Sequence, residues 1–81
     1  MEPFIGEIGL FAFNFVPNGW HACDGSLLQI STYSALYALL GTTYGGDGHM
    51  SFALPDLRNA SPIPGMTYCI ALQGNYPPRP F

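Results

Sequence analysis

The stretch Glu7–Val16, which reads Glu-Ile-Gly-Leu-Phe-Ala-Phe-Asn-Phe-Val, is aromatic and β-prone and predicts a strand. Alternate side chains of a strand point to opposite faces, and here both faces are apolar. One face carries Ile8, Leu10, Ala12 and Val16, and the other carries Phe11, Phe13 and Phe15. Because an antiparallel sheet can leave one face in water, a strand that is apolar on both sides indicates that one side meets another chain.

Short strands and turns are predicted around this stretch, because glycine and proline recur too often for long elements. Turns are expected at Pro17-Asn18-Gly19 and at Asp24-Gly25. A loop is expected at Tyr44–His49, where three glycines fall within four residues. The extended pieces are predicted at residues 20–23, 26–30, 50–54, 62–64 and 68–72, with a polyproline-like tail at 76–81.

One helix is predicted after Ser31 or Thr32, either of which offers a side-chain oxygen as an N-terminal cap. The apolar residues Tyr33, Leu36, Tyr37 and Leu40 follow the helical spacing i, i+3, i+4 and i+7. Gly41 supplies the stop. We therefore expect an α+β fold: a single small domain over residues 1–81, with short strands, one short helix and many glycine and proline turns.

The composition indicates that partner subunits cover part of the surface. Of the 81 residues, 48% are hydrophobic and only 9% are charged, and lysine is absent. A typical soluble domain has roughly a quarter charged residues, so a lone chain is expected to expose large apolar patches. The expected interface residues, which share an apolar character and a place on the aromatic strand or the helix, are Phe11, Phe13, Phe15, Tyr33, Leu36, Tyr37 and Leu40.

The charges argue against several classes of partner. The net charge is −3, and Arg58 and Arg79 are the only arginines, so the sequence offers no basic patch for nucleic acid. The segment Met1–Phe4 lacks the positive start of a signal peptide, and no apolar run is long enough to insert in a membrane. Export, if any, is expected through release of a particle, with the virion or a phage-like particle as a possible location.

Candidate chemistry in the sequence is sparse. His21 and His49 could join Asp24 and Asp47 at a metal, but no recognised ligand spacing is present, so we expect no metal and no cofactor. Cys23 lies two residues from His21 without any other sign of a nucleophile, and no enzymatic activity is expected. Cys23 and Cys69 are expected to be free thiols more often than a disulfide, and the sequence leaves both open.

Two further sets of residues carry alternatives. Trp20, Tyr44, Asp47 and His49 could form a receptor- or glycan-binding surface from exposed aromatic rings and the glycine-rich loop, although aromatic residues more often belong to a core or a subunit contact. Arg58 follows Asp56 by two residues, and an arginine in a chain so poor in charge is expected to be paired.

Taken together, the motifs resemble those of the phage tail-collar domain, found in short tail fibres and in the microcystin-dependent-protein group. The resemblance covers nearly the whole chain. It is carried by Gly6–Ile8 with Phe11–Ala12 and Asn14–Phe15, Pro17–Trp20 with the Cys23-Asp24-Gly25 motif, Leu36–Gly48, Phe52–Arg58 and Tyr68–Gly74.

The resemblance implies a structural module of a tail fibre or phage-derived particle that forms homotrimers and contacts other tail or particle proteins. Cys23, Asp24, Asp56 and Arg58 would then belong to structural motifs. Members of the family usually carry a long segment, often with a Pro-x-His-x-His stretch, where this chain has only Asn59–Met66. The receptor-binding head and metal-binding histidines that the family places there cannot be carried over, and Asn59 after Arg58 replaces the usual glycine.

Overall fold

A computed structural model describes residues 2–60 and 65–78 of the chain. The elements are β1 (Ile8–Phe11), β2 (Trp20–Ala22), β3 (Leu27–Gln29), α1 (Ser34–Leu40), β4 (Ser51–Ala53) and β5 (Thr67–Ala71). The strands are antiparallel and form two small sheets, one with the order β1-β5-β2 and the other with β3 beside β4. The predicted α+β class is therefore confirmed. The extended piece at 62–64 and the end of the tail at 79–81 lie outside the described residues.

Strand β5 lies at the centre of the larger sheet although it comes last in the chain. Ile8 of β1 and His21 of β2 both lie opposite Ile70, on its two sides. The backbone of Ala71 donates to the Glu7 carbonyl at 2.9 Å, and that of Leu72 donates to the Gly19 carbonyl at 2.8 Å. β5 is thus paired on both of its edges, and no described strand pairs with the outer edge of β1 or of β2.

The core lies between the helix and the two sheets. Five buried side chains form it: Cys23, Leu36, Phe52, Leu54 and Ile70. The Tyr37 ring packs on Phe52 with 5.4 Å between ring centroids. Leu36 comes from α1, Phe52 from β4 and Ile70 from β5, whereas Cys23 directly follows β2 and Leu54 directly follows β4. The core therefore depends on segments from across the chain meeting at one place.

The predicted strand at Glu7–Val16 is wrong beyond Phe11. Phe11 pairs with Thr67, the first residue of β5, so the ladder has no partner for Ala12 and the chain bends through Ala12–Phe15. The three phenylalanines therefore do not share a strand face. The proposed N-terminal cap of the helix is also wrong: the helix starts after Tyr33 without a side-chain cap, and the Thr32 hydroxyl bonds to Gln29 Oε1 instead, at 3.3 Å.

The end of the helix agrees with the prediction. Gly41 is the C-terminal cap, with φ of 58°, and its N–H donates to the Tyr37 carbonyl at 2.7 Å. A positive φ is strained for residues with a Cβ, which explains why glycine stops the helix here.

Candidate functional site

The sequence motifs around Cys23 and Asp56 form one junction, although about thirty residues separate them along the chain. The Leu57 N–H donates to the Cys23 carbonyl at 2.8 Å, and the Gly25 N–H donates to the Pro55 carbonyl at 3.3 Å. Asp24 and Asp56 face each other as an isolated antiparallel bridge. The Cys-Asp-Gly and Leu-Pro-Asp-Leu-Arg motifs thus act as a structural clasp that joins β2 and β3 to the segment after β4.

Both aspartates of this clasp are held by local hydrogen bonds. Asp24 accepts bonds from the hydroxyl and the backbone N–H of Ser26, and the hydroxyl bond is the main reason that its pKa is lowered. Arg58 donates two bonds to the Asp56 carboxylate, at 2.9 and 2.7 Å. That bidentate pair lowers the pKa of Asp56 to about 2. The prediction that Arg58 is paired is confirmed.

The loop at Tyr44–Ser51, called the Asp47 loop below, is closed by one carboxylate oxygen. Asp47 Oδ1 accepts the backbone N–H groups of His49 and Met50 at 2.9 Å and of Ser51 at 3.0 Å. These bonds, the one from Ser51 foremost, lower the pKa of Asp47 to about 2. Asp47 is therefore the internal brace of this loop.

The bend after β1 carries a row of aromatic rings, called the aromatic row below: Phe11, Phe13 and Phe15. The Phe11 and Phe13 centroids are 5.2 Å apart, and Phe13 stacks on Phe15 at 4.4 Å. The Trp20 ring meets Phe11 edge to face at 5.1 Å. Exposure rises outward along the row, from 37% at Phe13 to 62% at Phe15. The structure thus brings together the three phenylalanines that the sequence placed at an interface.

The helical residues expected at the same interface lie elsewhere. Leu36 is 1% exposed and belongs to the core, so its assignment to an intermolecular surface is corrected. Tyr33, Tyr37 and Leu40 are half-buried and pack against the same core cluster. Their helical spacing therefore corresponds to the face of the helix that packs within the same chain.

The four residues of the ligand-binding alternative do not line a common cavity among the described residues. His49 borders a small hollow with Gln29, Ser31 and Met50. Trp20 borders two other cavities, of about 390 and 360 Å³, which adjoin at Glu2 and Pro3. Tyr44 is half exposed and Asp47 is committed to its own loop.

The two cavities beside Trp20 share Glu2, Pro3 and Trp20 in their linings, and together they are called the Trp20 groove below. Its lining residues are Glu2, Pro3, Phe4, Glu7, Asn18, Gly19, Trp20, Gln73 and Gly74. Sequence reasoning identified only Trp20 among them. The others meet because Asn75 pairs with Phe4 and donates its N–H to the Pro3 carbonyl at 2.9 Å, which brings the end of the described chain to its beginning.

The two cysteines are free and buried. Cys23 lies opposite Tyr68, to whose carbonyl its N–H donates, whereas Cys69 lies opposite Ala22. Their side chains therefore leave the sheet on opposite faces, an arrangement that disfavours a disulfide. Burial, foremost, raises the pKa of Cys23 to about 11, so its thiol is protonated and poorly nucleophilic at neutral pH.

Residues 2–60 and 65–78 hold no group of three or more His, Cys, Asp or Glu side chains that could bind a metal ion. The same part of the chain has no helix with the length and apolar character needed to cross a membrane.

A family model for the phage tail collar domain matches residues 6–62, more than two thirds of the 81 residues. This chain belongs to the phage tail collar domain family. The match contains both motifs of the clasp and the Asp47 loop, and it ends before β5. The matched region thus contains β1 and β2, the two outer strands of the larger sheet, and the central strand β5 lies beyond it.

The collar chain also resembles Protein RhiB of Rhizobium leguminosarum bv. viciae, with 42% identity over 43 residues. That alignment takes in 49% of the chain but only 20% of RhiB, so the chain spans a small part of this relative's length. No solved structure matches the chain significantly.

Proposed function

We propose that this collar domain is a non-enzymatic structural module of a phage tail fibre or phage-derived particle, and that it assembles with copies of itself as a homotrimer. The aromatic row is the observation that carries the proposal. Phe13, Phe15 and the neighbouring Val16 are all exposed in the single chain. Large exposed apolar surfaces usually mark an interface, and little charge is available here to keep them soluble.

The free edge of β1 supports the same surface. Glu7 pairs with Ala71 through a hydrogen bond, so by alternation the backbone groups of Ile8 and Leu10 point away from β5. Ile8 is also 43% exposed. An unprotected strand edge beside apolar side chains is a ready place for a second chain to pair.

The structural role takes precedence over the glycan-binding alternative, because Trp20 borders different cavities from the hollow beside His49. Membership in a structural family and the protonated, buried Cys23 thiol both favour a module without catalysis.

Native mass spectrometry and sedimentation at micromolar concentration test the assembly. The expected species contains three chains of 8.8 kDa each. Replacing both Phe13 and Phe15 by serine is expected to shift the protein to monomers, because it removes the two outer rings of the aromatic row.

Met50→Ser is the matched control, since Met50 is 76% exposed and lies on the separate Asp47 loop. It should leave the trimer intact. A natural chain that stays monomeric at these concentrations would contradict the proposal.

A further inference from the structure

The Trp20 groove is negatively charged and has no cation of its own. Glu2 and Glu7 line it, and none of its lining residues is basic. The backbone N–H of Phe4 donates to Glu7 Oε1 at 3.0 Å, which orients that carboxylate and leaves its second oxygen available. Arg58, the only arginine within residues 2–60 and 65–78, is already paired with Asp56. No arginine of the described residues is therefore paired with Glu2 or Glu7.

The indole of Trp20 gives the groove a second means of attracting a cation. The edge-to-face contact with Phe11, at 5.1 Å between ring centroids, positions the ring. The face of an indole attracts cations through its quadrupole, more strongly than the rings of Tyr or Phe. Carboxylates beside such a ring match the planar guanidinium group, which stacks and forms two parallel hydrogen bonds.

Side-chain amides lie at the other end of the groove. Asn18 and Gln73 both line it. A Cβ at position 19 would lie only 2.8 Å from Gln73 Nε2, so glycine at that position allows the amide its place. Amides can donate to and accept from a peptide backbone. The two cavities, of about 390 and 360 Å³, are large enough for a side chain with its flanking residues.

We propose that the Trp20 groove binds an arginine side chain of a partner polypeptide, with the guanidinium over the Trp20 indole and beside the carboxylates of Glu2 and Glu7. The backbone next to this arginine would run past Asn18 and Gln73. The site is separate from the homotrimer proposal, because it needs only the single chain.

Fluorescence of Trp20, the only tryptophan, reports on this binding directly. The probe is acetyl-Gly-Arg-Gly-amide, and its control is the same peptide with citrulline, which has the shape of arginine without its charge. The arginine peptide is expected to give a saturable change that weakens with added salt, and the citrulline peptide little or none. Equal binding of both peptides would overturn the proposal.

Variants then locate the site. Glu2→Gln and Glu7→Gln are each expected to lower the affinity for the arginine peptide about threefold, and the double variant is expected to lower it about tenfold. Glutamine at position 7 keeps an acceptor for the Phe4 N–H, so the local fold is preserved. Asp56→Asn is the matched control, because it removes one carboxylate outside the groove, and it should leave the affinity unchanged. Unchanged affinity in the double variant would contradict the proposed site.

A final variant identifies the source of the arginine. Arg79 lies outside the described residues and is the second arginine of the chain. If the groove serves a partner, Arg79→Gln leaves the affinity for the probe unchanged. Tighter binding by this variant would show that the chain's own arginine competes for the groove, and would overturn the assignment to a partner.

Discussion

The Asp47 loop and the aromatic row differ in how the groups that they carry are satisfied within a single chain. In the loop, one carboxylate oxygen accepts three backbone N–H groups within four residues, and the Gly48 N–H donates to the Ser51 carbonyl at 3.1 Å. In the aromatic row, the rings contact one another and Trp20, yet Phe15 stays 62% exposed. The polar groups of the loop are thus hydrogen-bonded within one chain, whereas the aromatic row leaves apolar surface exposed to water.

This contrast separates the parts of the domain that specify its fold from the part available for assembly. Polar groups can be satisfied locally, because a hydrogen bond needs only one neighbour at the right distance. An apolar ring must be enclosed on several sides before water is excluded, and three short strands cannot enclose a row of three rings. This difference supports the proposal that a second chain covers the aromatic row, whereas the Asp47 loop needs no partner.

Gly46→Ala should produce the largest effect, because it breaks the self-sufficient loop. A Cβ there would overlap the Phe52 Cα and lie 2.6 Å from the Ser51 carbonyl oxygen, and the φ of +95° is strained for alanine. Phe52 is a core residue, so the backbone has little room to move. We expect the free energy of unfolding to fall by about 3 kcal/mol, with a drop in melting temperature of more than about 10 °C.

Gly65→Ala is the control for Gly46→Ala in thermal unfolding. Gly65 also has a positive φ, of +87°, but an added Cβ would meet no atom of the described residues within 4 Å. Its cost is expected to be only about 1 kcal/mol, from backbone strain alone. If both variants lost the same free energy of unfolding, the tight packing of Gly46 on β4 would not add to the cost of the substitution.

Replacing Asp47 should have a smaller effect, whose dependence on pH identifies the brace. Its folded-state pKa of about 2 lies below the ordinary value of 3.8, so the unfolded chain binds more protons between these values. The stability from this carboxylate is therefore complete above about pH 4 and is lost as the pH falls toward 2. Asp47→Asn keeps a hydrogen-bond acceptor but removes the charge, whereas Asp47→Ala removes both. The alanine variant should therefore lose more of the free energy of unfolding.

The measurement is the melting temperature of the natural chain and of both variants between pH 2 and pH 6. The difference in melting temperature between the natural chain and Asp47→Asn should become smaller as the pH approaches 2. Asp56→Asn serves as a comparison, since the Asp56 pKa is also lowered to about 2 but by an exposed arginine, whose contribution salt screens. A gap that stays constant with pH would show that the charge of Asp47 does not stabilise the loop.

The two regions also differ in how far the sequence could predict them. The Asp47 loop was predictable because closely spaced glycines exclude regular structure, and the helix Ser34–Leu40 was predictable from the spacing of its apolar residues. The end of β1 at Phe11 was not, because it depends on where β5 begins, far along the chain. The Trp20 groove was hidden for the same reason: Glu2 and Gln73 meet only through the pairing of Phe4 with Asn75.

Burial of the helix shows a further limit of sequence patterns. The spacing of Tyr33, Leu36, Tyr37 and Leu40 identifies an apolar face, but a pattern cannot tell whether that face meets the same chain or another one. In this domain it packs on Phe52 and its neighbours. The exposed rings of Phe13 and Phe15 lie instead on the bend after β1, where no periodic pattern exists.

Phe15→Ser should have the smallest effect on the folding of the single chain and thus sharpens the comparison most. Because the ring is largely exposed and contacts only Phe13 among the described aromatic rings, the free energy of unfolding of the monomer should change by less than about 0.5 kcal/mol. Assembly adds a term that depends on concentration, since a partner that binds only the folded state stabilises it by mass action. Urea unfolding at two protein concentrations separates the two terms: the midpoint of the natural chain should rise with concentration, and that of the variant should rise less. If Phe15→Ser instead lowered the midpoint equally at both concentrations, the ring would belong to the fold of the single chain, and the aromatic row would be as self-sufficient as the Asp47 loop.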